Sequence, residues 1–99
     1  MILTQEYIRK VVSEYLKNKP VKKVWLFGSY ARGEADDKSD IDVVVDLDYS
    51  DQIGIDYFNW FQDLQDVLDK KVDVLSKKYI NKRLRPFIEK EMVLMYEKN

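Results

Sequence analysis

Residues 27–46 read FGSYARGEADDKSDIDVVVD. A Gly-Ser pair and a small-residue turn lead into a run of acids, and the acids run into a valine strand. Strands that bury both faces want apolar side chains, yet this one begins with two aspartates one residue apart. Asp40 and Asp42 therefore decide the reading. Two residues apart on a strand, they share a face with α-carbons roughly 6.6 Å apart. Two ionised carboxylates aimed at one point repel, and in a partly dry pocket a divalent cation is the natural remedy. An oxygen-only donor set favours magnesium or manganese.

Outward from this stretch, the sequence predicts alternating helices and strands. Thr4 can cap a first helix carrying Ile8, Val11, Val12, Tyr15 and Leu16 at helical spacing, which Asn18 and Pro20 stop. Residues 21–27 form a strand, with Trp25 and Phe27 suited to a half-buried pleat. A short helix follows over 29–34, and Gly33 stops it early. Residues 35–39 are a polar loop and 40–46 the acidic strand. The longest amphipathic helix runs over 53–68 through Tyr57, Phe61, Leu64 and Leu68, with Trp60 and Val67 alongside. Residues 71–76, KVDVLS, give a third strand in which Asp73 again sets an acid into an apolar run. Residues 77–91 are helical in two pieces, because Pro86 suits a helix's first turn and not its interior. Residues 92–96 close the chain as an edge strand. The fold class is thus α+β (mixed α/β): a small mixed sheet of about four strands flanked by helices.

Composition sets limits on the chemistry. The 99 residues suit one compact domain, and 17 Lys and Arg against 18 Asp and Glu leave no overall basic field for general nucleic-acid binding. With no cysteine and no histidine, thiolate and imidazole zinc sites, disulfides and imidazole bases are excluded. Carboxylates, hydroxyls, Lys and Arg remain. The amino terminus has no apolar signal core and no stretch approaches a membrane span, so the cytoplasm is the expected location.

If the strands before and after the short helix are antiparallel neighbours, Gly28 lies beside the start of the acidic strand. Glycine lets backbone approach a phosphate, and amides with the Ser29 hydroxyl donate to anionic oxygens. Asp73 on a neighbouring strand would complete a cluster able to hold two ions roughly 4 Å apart. A phosphate cradle and metal-binding acids would then face each other.

Gly28-Ser29, ten intervening residues, Asp40-x-Asp42 and a later Asp73 together resemble the signature of the DNA polymerase beta-like nucleotidyltransferase superfamily. GSYARGE followed by SDIDVVV resembles in particular its smallest branch, the minimal nucleotidyltransferases, over most of the chain. The resemblance implies a polymerase beta-like core and a single minimal nucleotidyltransferase domain over 1–99. It implies that Gly28 and Ser29 hold a triphosphate, that Asp40 and Asp42 bind both of two Mg2+ ions (or Mn2+), and that Asp73 binds the catalytic ion and helps deprotonate the attacking hydroxyl. Members are commonly encoded beside a HEPN-domain toxin, and some act as antitoxins by transferring AMP from ATP to a toxin tyrosine. The implied partners are a nucleoside triphosphate and a HEPN-type protein, with neither membrane nor nucleic acid expected.

Several residues carry a plainer reading beside the functional one. Arg32 is placed to bind nucleotide, or pairs with Glu34 or a loop aspartate as scaffolding. Asp46-x-Asp48 repeats the spacing at the far end of the strand and reads as a solvated exit. Ser39 caps or orients the acidic strand. Lys77, Lys78, Lys82, Arg83 and Arg85 read as a solvated face, Tyr57, Trp60 and Phe61 as core, and Tyr30 as a surface tyrosine beside the site. Three functions follow in order: a nucleotidyltransferase that modifies a partner protein, an antitoxin that masks its partner with little or no transfer, and a template-dependent polymerase or RNA-tailing enzyme.

Overall fold

The computed structural model describes residues 2–48 and 56–98, the side chains of 56–58 excepted. The expected start of the long helix at 53–55 and the core role of Tyr57 lie outside that description. Helix α1 spans Gln5–Leu16, and its first turn is closed by the Thr4 hydroxyl, which accepts the Tyr7 amide at 3.0 Å. Its 3.6-residue period buries Ile8, Val12 and Leu16 on one side. Strand β1 (Val21–Phe27) follows, then α2 (Ser29–Arg32), which ends at Gly33 with φ 73° and ψ 22°. That left-handed conformation costs glycine nothing.

Strand β2 (Ile41–Leu47), helix α3 (Asp56–Leu68) and strand β3 (Val72–Ser76) make a crossover unit, so β2 and β3 pair in parallel. A 3-10 turn over Lys77–Tyr79 and α4 (Arg85–Glu91) form the two expected helical pieces, with Pro86 in the first turn of α4. The last strand, β4 (Val93–Glu97), pairs antiparallel with β1 and lies at the sheet's edge, the strand order being β3-β2-β1-β4. Mixed pairing around four strands is the architecture the sequence predicts. Strand β1 has its predicted limits, and the other three begin or end one residue from theirs, where pairing and not local composition sets the boundary.

Strand alternation divides the side chains between two unequal layers. Val24, Leu26, Val43 and Val45 face α1 and α3, and pack with Ile8, Val12, Phe61, Leu64 and Leu68 in the main core. Each such fully buried side chain contributes about 1.5–3 kcal/mol. The opposite face is covered more thinly: Val44, Ile80 and Ile88 are buried there, with Trp25, Phe27, Leu75 and Met92 half-covered around them. By the same alternation Asp42, next but one to Val44, and Asp73, next but one to Leu75, belong to this second face. The acids do not interrupt the main core; they open onto the lightly covered side.

Candidate active site

Register brings the two ends of the signature together. Phe27 pairs with Asp42 across β1 and β2, and Asp42 pairs with Asp73 across β2 and β3. The backbone at Gly28 therefore passes over the start of β2, as antiparallel pairing requires. It passes so close that a Cβ on Gly28 would stand 2.4 Å from Asp42 Oδ2 and 3.2 Å from its Cγ. Gly28 also has φ 75° and ψ −155°, a region essentially closed to other residues. Glycine is thus required twice, by its own dihedrals and by the carboxylate above it. Ser29 then opens α2.

Asp40 stands immediately before β2, beyond the strand's first residue Ile41, whose amide is held by the Lys71 carbonyl at 2.9 Å. The Asp42 carboxyl is pushed above the usual carboxylate range, first by burial, then by the charges of Asp73 and Asp40, with Arg32 opposing and a hydrogen bond to Asp73 adding to the rise. Three acids are thus electrostatically coupled at one mouth of the sheet. A half-buried carboxylate held against two others is a donor set suited to a hard divalent cation. The Asp42 carboxylate packs on the Gly28 backbone with no room for a Cβ between them, which sets main chain directly beside the acids. The residues present therefore fit the ions that the family resemblance implies.

Among the described residues no group of three or more acids stands as a preformed cage for an ion. Asp73 also faces Lys71, Oδ1 to Nζ 3.6 Å.

Arg32 does pair with Glu34, Nε to Oε2 3.0 Å, as the scaffolding reading has it. It also reaches Glu91 Oε2 at 3.2 Å. These hydrogen bonds, Glu34 first and Glu91 second, hold its proton more tightly than usual. Glu91, which sequence reasoning passed over, further accepts the Gly28 amide on Oε1 at 3.1 Å. The signal that finds it is the register of β4: Leu26 pairs with Val93, so Glu91, two residues before Val93, falls beside Gly28, two residues after Leu26.

Other residues fall out as follows. Tyr30 is no surface residue: it is 3% exposed within the main core, its hydroxyl accepting the Leu3 amide at 3.4 Å. A four-residue helix gives too little periodicity to reveal which side turns inward. Ser39 knits the loop, its hydroxyl accepting the Asp36 amide at 2.8 Å and donating to Asp36 Oδ1 at 3.2 Å. Asp46 pairs with Lys23 at the far end of β2, and the Asp48 amide is held by the Pro20 carbonyl at 2.8 Å. That pair is the strand's exit. Phe61 is core and Trp60 packs against it. In the basic stretch, Lys78, Lys82 and Arg83 are exposed, while Lys77 lies 5.1 Å from the Trp25 ring centre.

Comparison with known proteins agrees with this arrangement. A family model described as polymerase beta, nucleotidyltransferase matches residues 10–99. The Methanocaldococcus jannaschii protein MJ1379, named provisionally as a protein adenylyltransferase, is 38% identical over 90 residues, covering 89% of this chain and 86% of its own. Protein adenylyltransferase MntA of Thermococcus cleftensis is 27% identical over 96 residues, 93% of this chain and 96% of that one. Among solved structures, the complex of tri-AMPylated Shewanella oneidensis HEPN toxin with MNT antitoxin contains a chain that superposes with a TM-score of 0.68 at 20% identity, covering 96% of this chain and 74% of that one. At that identity the likeness is one of fold. With nine-tenths of its length matched by the family model, and with the glycine, serine and acids of the motif brought to one end of a polymerase beta-like sheet, the chain belongs to the polymerase beta nucleotidyltransferase family.

Proposed function

We propose that this protein transfers AMP from ATP to a hydroxyl of a partner protein, and that the partner is a HEPN-type toxin which it restrains as an antitoxin. The observation that carries the reading is the contact between the Gly28 backbone and the Asp42 carboxylate, which leaves no room for a Cβ. Such closeness serves a site where phosphate and acids must be bridged. In this reading Gly28, Ser29 and Arg32 bind the triphosphate. Asp40, Asp42 and Asp73 hold two Mg2+ or Mn2+ ions. Bound there, the ions would neutralise the acids and stabilise charge developing on the phosphoryl oxygens. Asp73 also helps take the proton as the acceptor oxygen bonds to the α-phosphorus and pyrophosphate leaves. The protein adenylyltransferase relatives support AMP as the group transferred. The toxin complex supports a HEPN-type acceptor. No helix among the described residues is long and apolar enough to cross a membrane, and we place the reaction in the cytoplasm.

A second reading is neutralisation of the partner by masking alone, with little or no transfer. Co-expression of the toxin with wild-type protein and with the Asp40→Ala, Asp42→Ala variant separates the two. The catalytic reading expects the variant to fold, bind the toxin and fail to rescue growth. Full rescue by the variant would overturn it in favour of masking.

A further inference from the structure

Glu91 holds an unusual position for an acid. Its carboxylate rests on two of the three residues that the proposed function gives to the triphosphate: the Gly28 amide at 3.1 Å and the Arg32 guanidinium, whose Nη1 lies 3.2 and 3.4 Å from its two oxygens. It arrives there on the last turn of α4, held by the β1–β4 register. It is also only partly covered, the side chain being 29% exposed, so it can leave without unmaking the core. A carboxylate and a phosphate oxygen ask for the same donors in the same geometry.

We propose that Glu91 is an internal anion that occupies the phosphate cradle of the nucleotide-free protein and is displaced when the triphosphate arrives. The inference rests on the proposed nucleotidyltransferase reading and names a control acting on that same site. Three consequences follow from the contacts. In the free protein Glu91 keeps the Gly28 amide satisfied and holds Arg32 beside the cradle. An incoming phosphate must replace a charged hydrogen bond and a half-exposed ion pair, so intrinsic affinity is lowered. Because Glu91 ends α4 and precedes β4, its release also loosens the tie between the α4 layer and the cradle, which couples nucleotide binding to the second face of the sheet.

The test is titration calorimetry of the purified chain with magnesium-ATP and with inorganic tripolyphosphate, wild type against Glu91→Gln. Glutamine keeps the shape and can still accept the Gly28 amide, but it surrenders the charge on Arg32. Because the ion pair is exposed to solvent its worth is modest, and binding should tighten by about 3- to 5-fold for both probes. Glu89→Gln removes the same charge from the exposed side of α4, where Glu89 lies 3.9 Å from Arg85, and should change affinity by less than about 2-fold if the effect is local and not a general loss of negative charge. Equal tightening in both variants, or unchanged or weaker binding in Glu91→Gln while its melting curve stays wild-type, would overturn the proposal alone. Failure of the wild-type chain to bind either probe would overturn the functional reading and this inference together.

Discussion

Alanine at Gly28 and at Gly33 imposes nearly the same backbone demand in two different surroundings. Gly28 has φ 75° and Gly33 φ 73°, so both substitutions force a side chain into a conformation it rarely adopts. At Gly33, with ψ 22°, the strain is that of the left-handed helical region, about 1–2 kcal/mol. At Gly28, with ψ −155°, it is the steeper strain of a glycine-only region, about 1–3 kcal/mol. In a domain of this size each kcal/mol lowers the melting temperature by about 4–8 °C, so both variants should melt lower, with Gly28→Ala the lower of the two. Their surroundings differ more sharply. A Cβ at Gly33 meets nothing within 4 Å, whereas at Gly28 it stands 2.4 Å from Asp42 Oδ2 against the 3.0 Å that real contacts respect. The carboxylate must retreat by more than half an ångström, and turning it leaves Cγ at 3.2 Å, still tight. Gly28→Ala should therefore lose Mn2+ affinity, read by electron paramagnetic resonance, and nucleotidyl transfer by 10-fold or more, on the order of a single misplaced catalytic contact. Gly33→Ala should keep both within about 2-fold. Equal retention by the two variants, each measured well below its melting temperature, would refute the claim that Gly28 is glycine for the sake of Asp42.

The remaining expectations test the acids, the helix pair and the core. The Asp42 carboxyl is raised in the folded state by burial and then by Asp73 and Asp40. The protonated form thus favours folding, and that stability is lost as pH rises through the raised value. Asp42→Asn should accordingly melt higher than wild type at pH 7 without added metal, the gain fading as pH falls into the usual carboxylate range, while transfer is abolished and added Mn2+ no longer raises the melting temperature. Tyr15 donates its hydroxyl to Asp63 across α1 and α3, and burial, then that bond and the Asp63 charge, push its pKa up to about 12. Tyr15→Phe should cost about 0.5–1.5 kcal/mol in urea titrations near neutral pH. It should also remove the part of the alkaline destabilisation that wild type shows as pH rises from about 10, the unfolded value, to about 12. Leu64, 1% exposed, leaves a cavity when truncated, and Leu64→Ala should cost about 2–5 kcal/mol in the same titration.

What the sequence made legible was whatever is written locally. Thr4 before an apolar period announces α1, and the acids amid valines announce a site at a strand's mouth. Phe27 and Asp42 become neighbours as soon as β1 and β2 are taken as antiparallel. Glu91 was hidden for the opposite reason: its partner Gly28 is 63 residues away, and only the pairing of β4 with β1 brings them together. Tyr30 was misjudged because position within a four-residue helix carries no direction.

Transfer of AMP to the partner is a covalent change that intact mass spectrometry reads as added mass. The purified chain is incubated with its HEPN-type partner, ATP and Mg2+, and the partner is weighed. The expected result is a gain of one or more AMP units, absent with the Asp40→Ala, Asp42→Ala protein. An unchanged mass with each of the four nucleoside triphosphates, in Mg2+ and in Mn2+, alongside a tight complex of the two proteins, would contradict it.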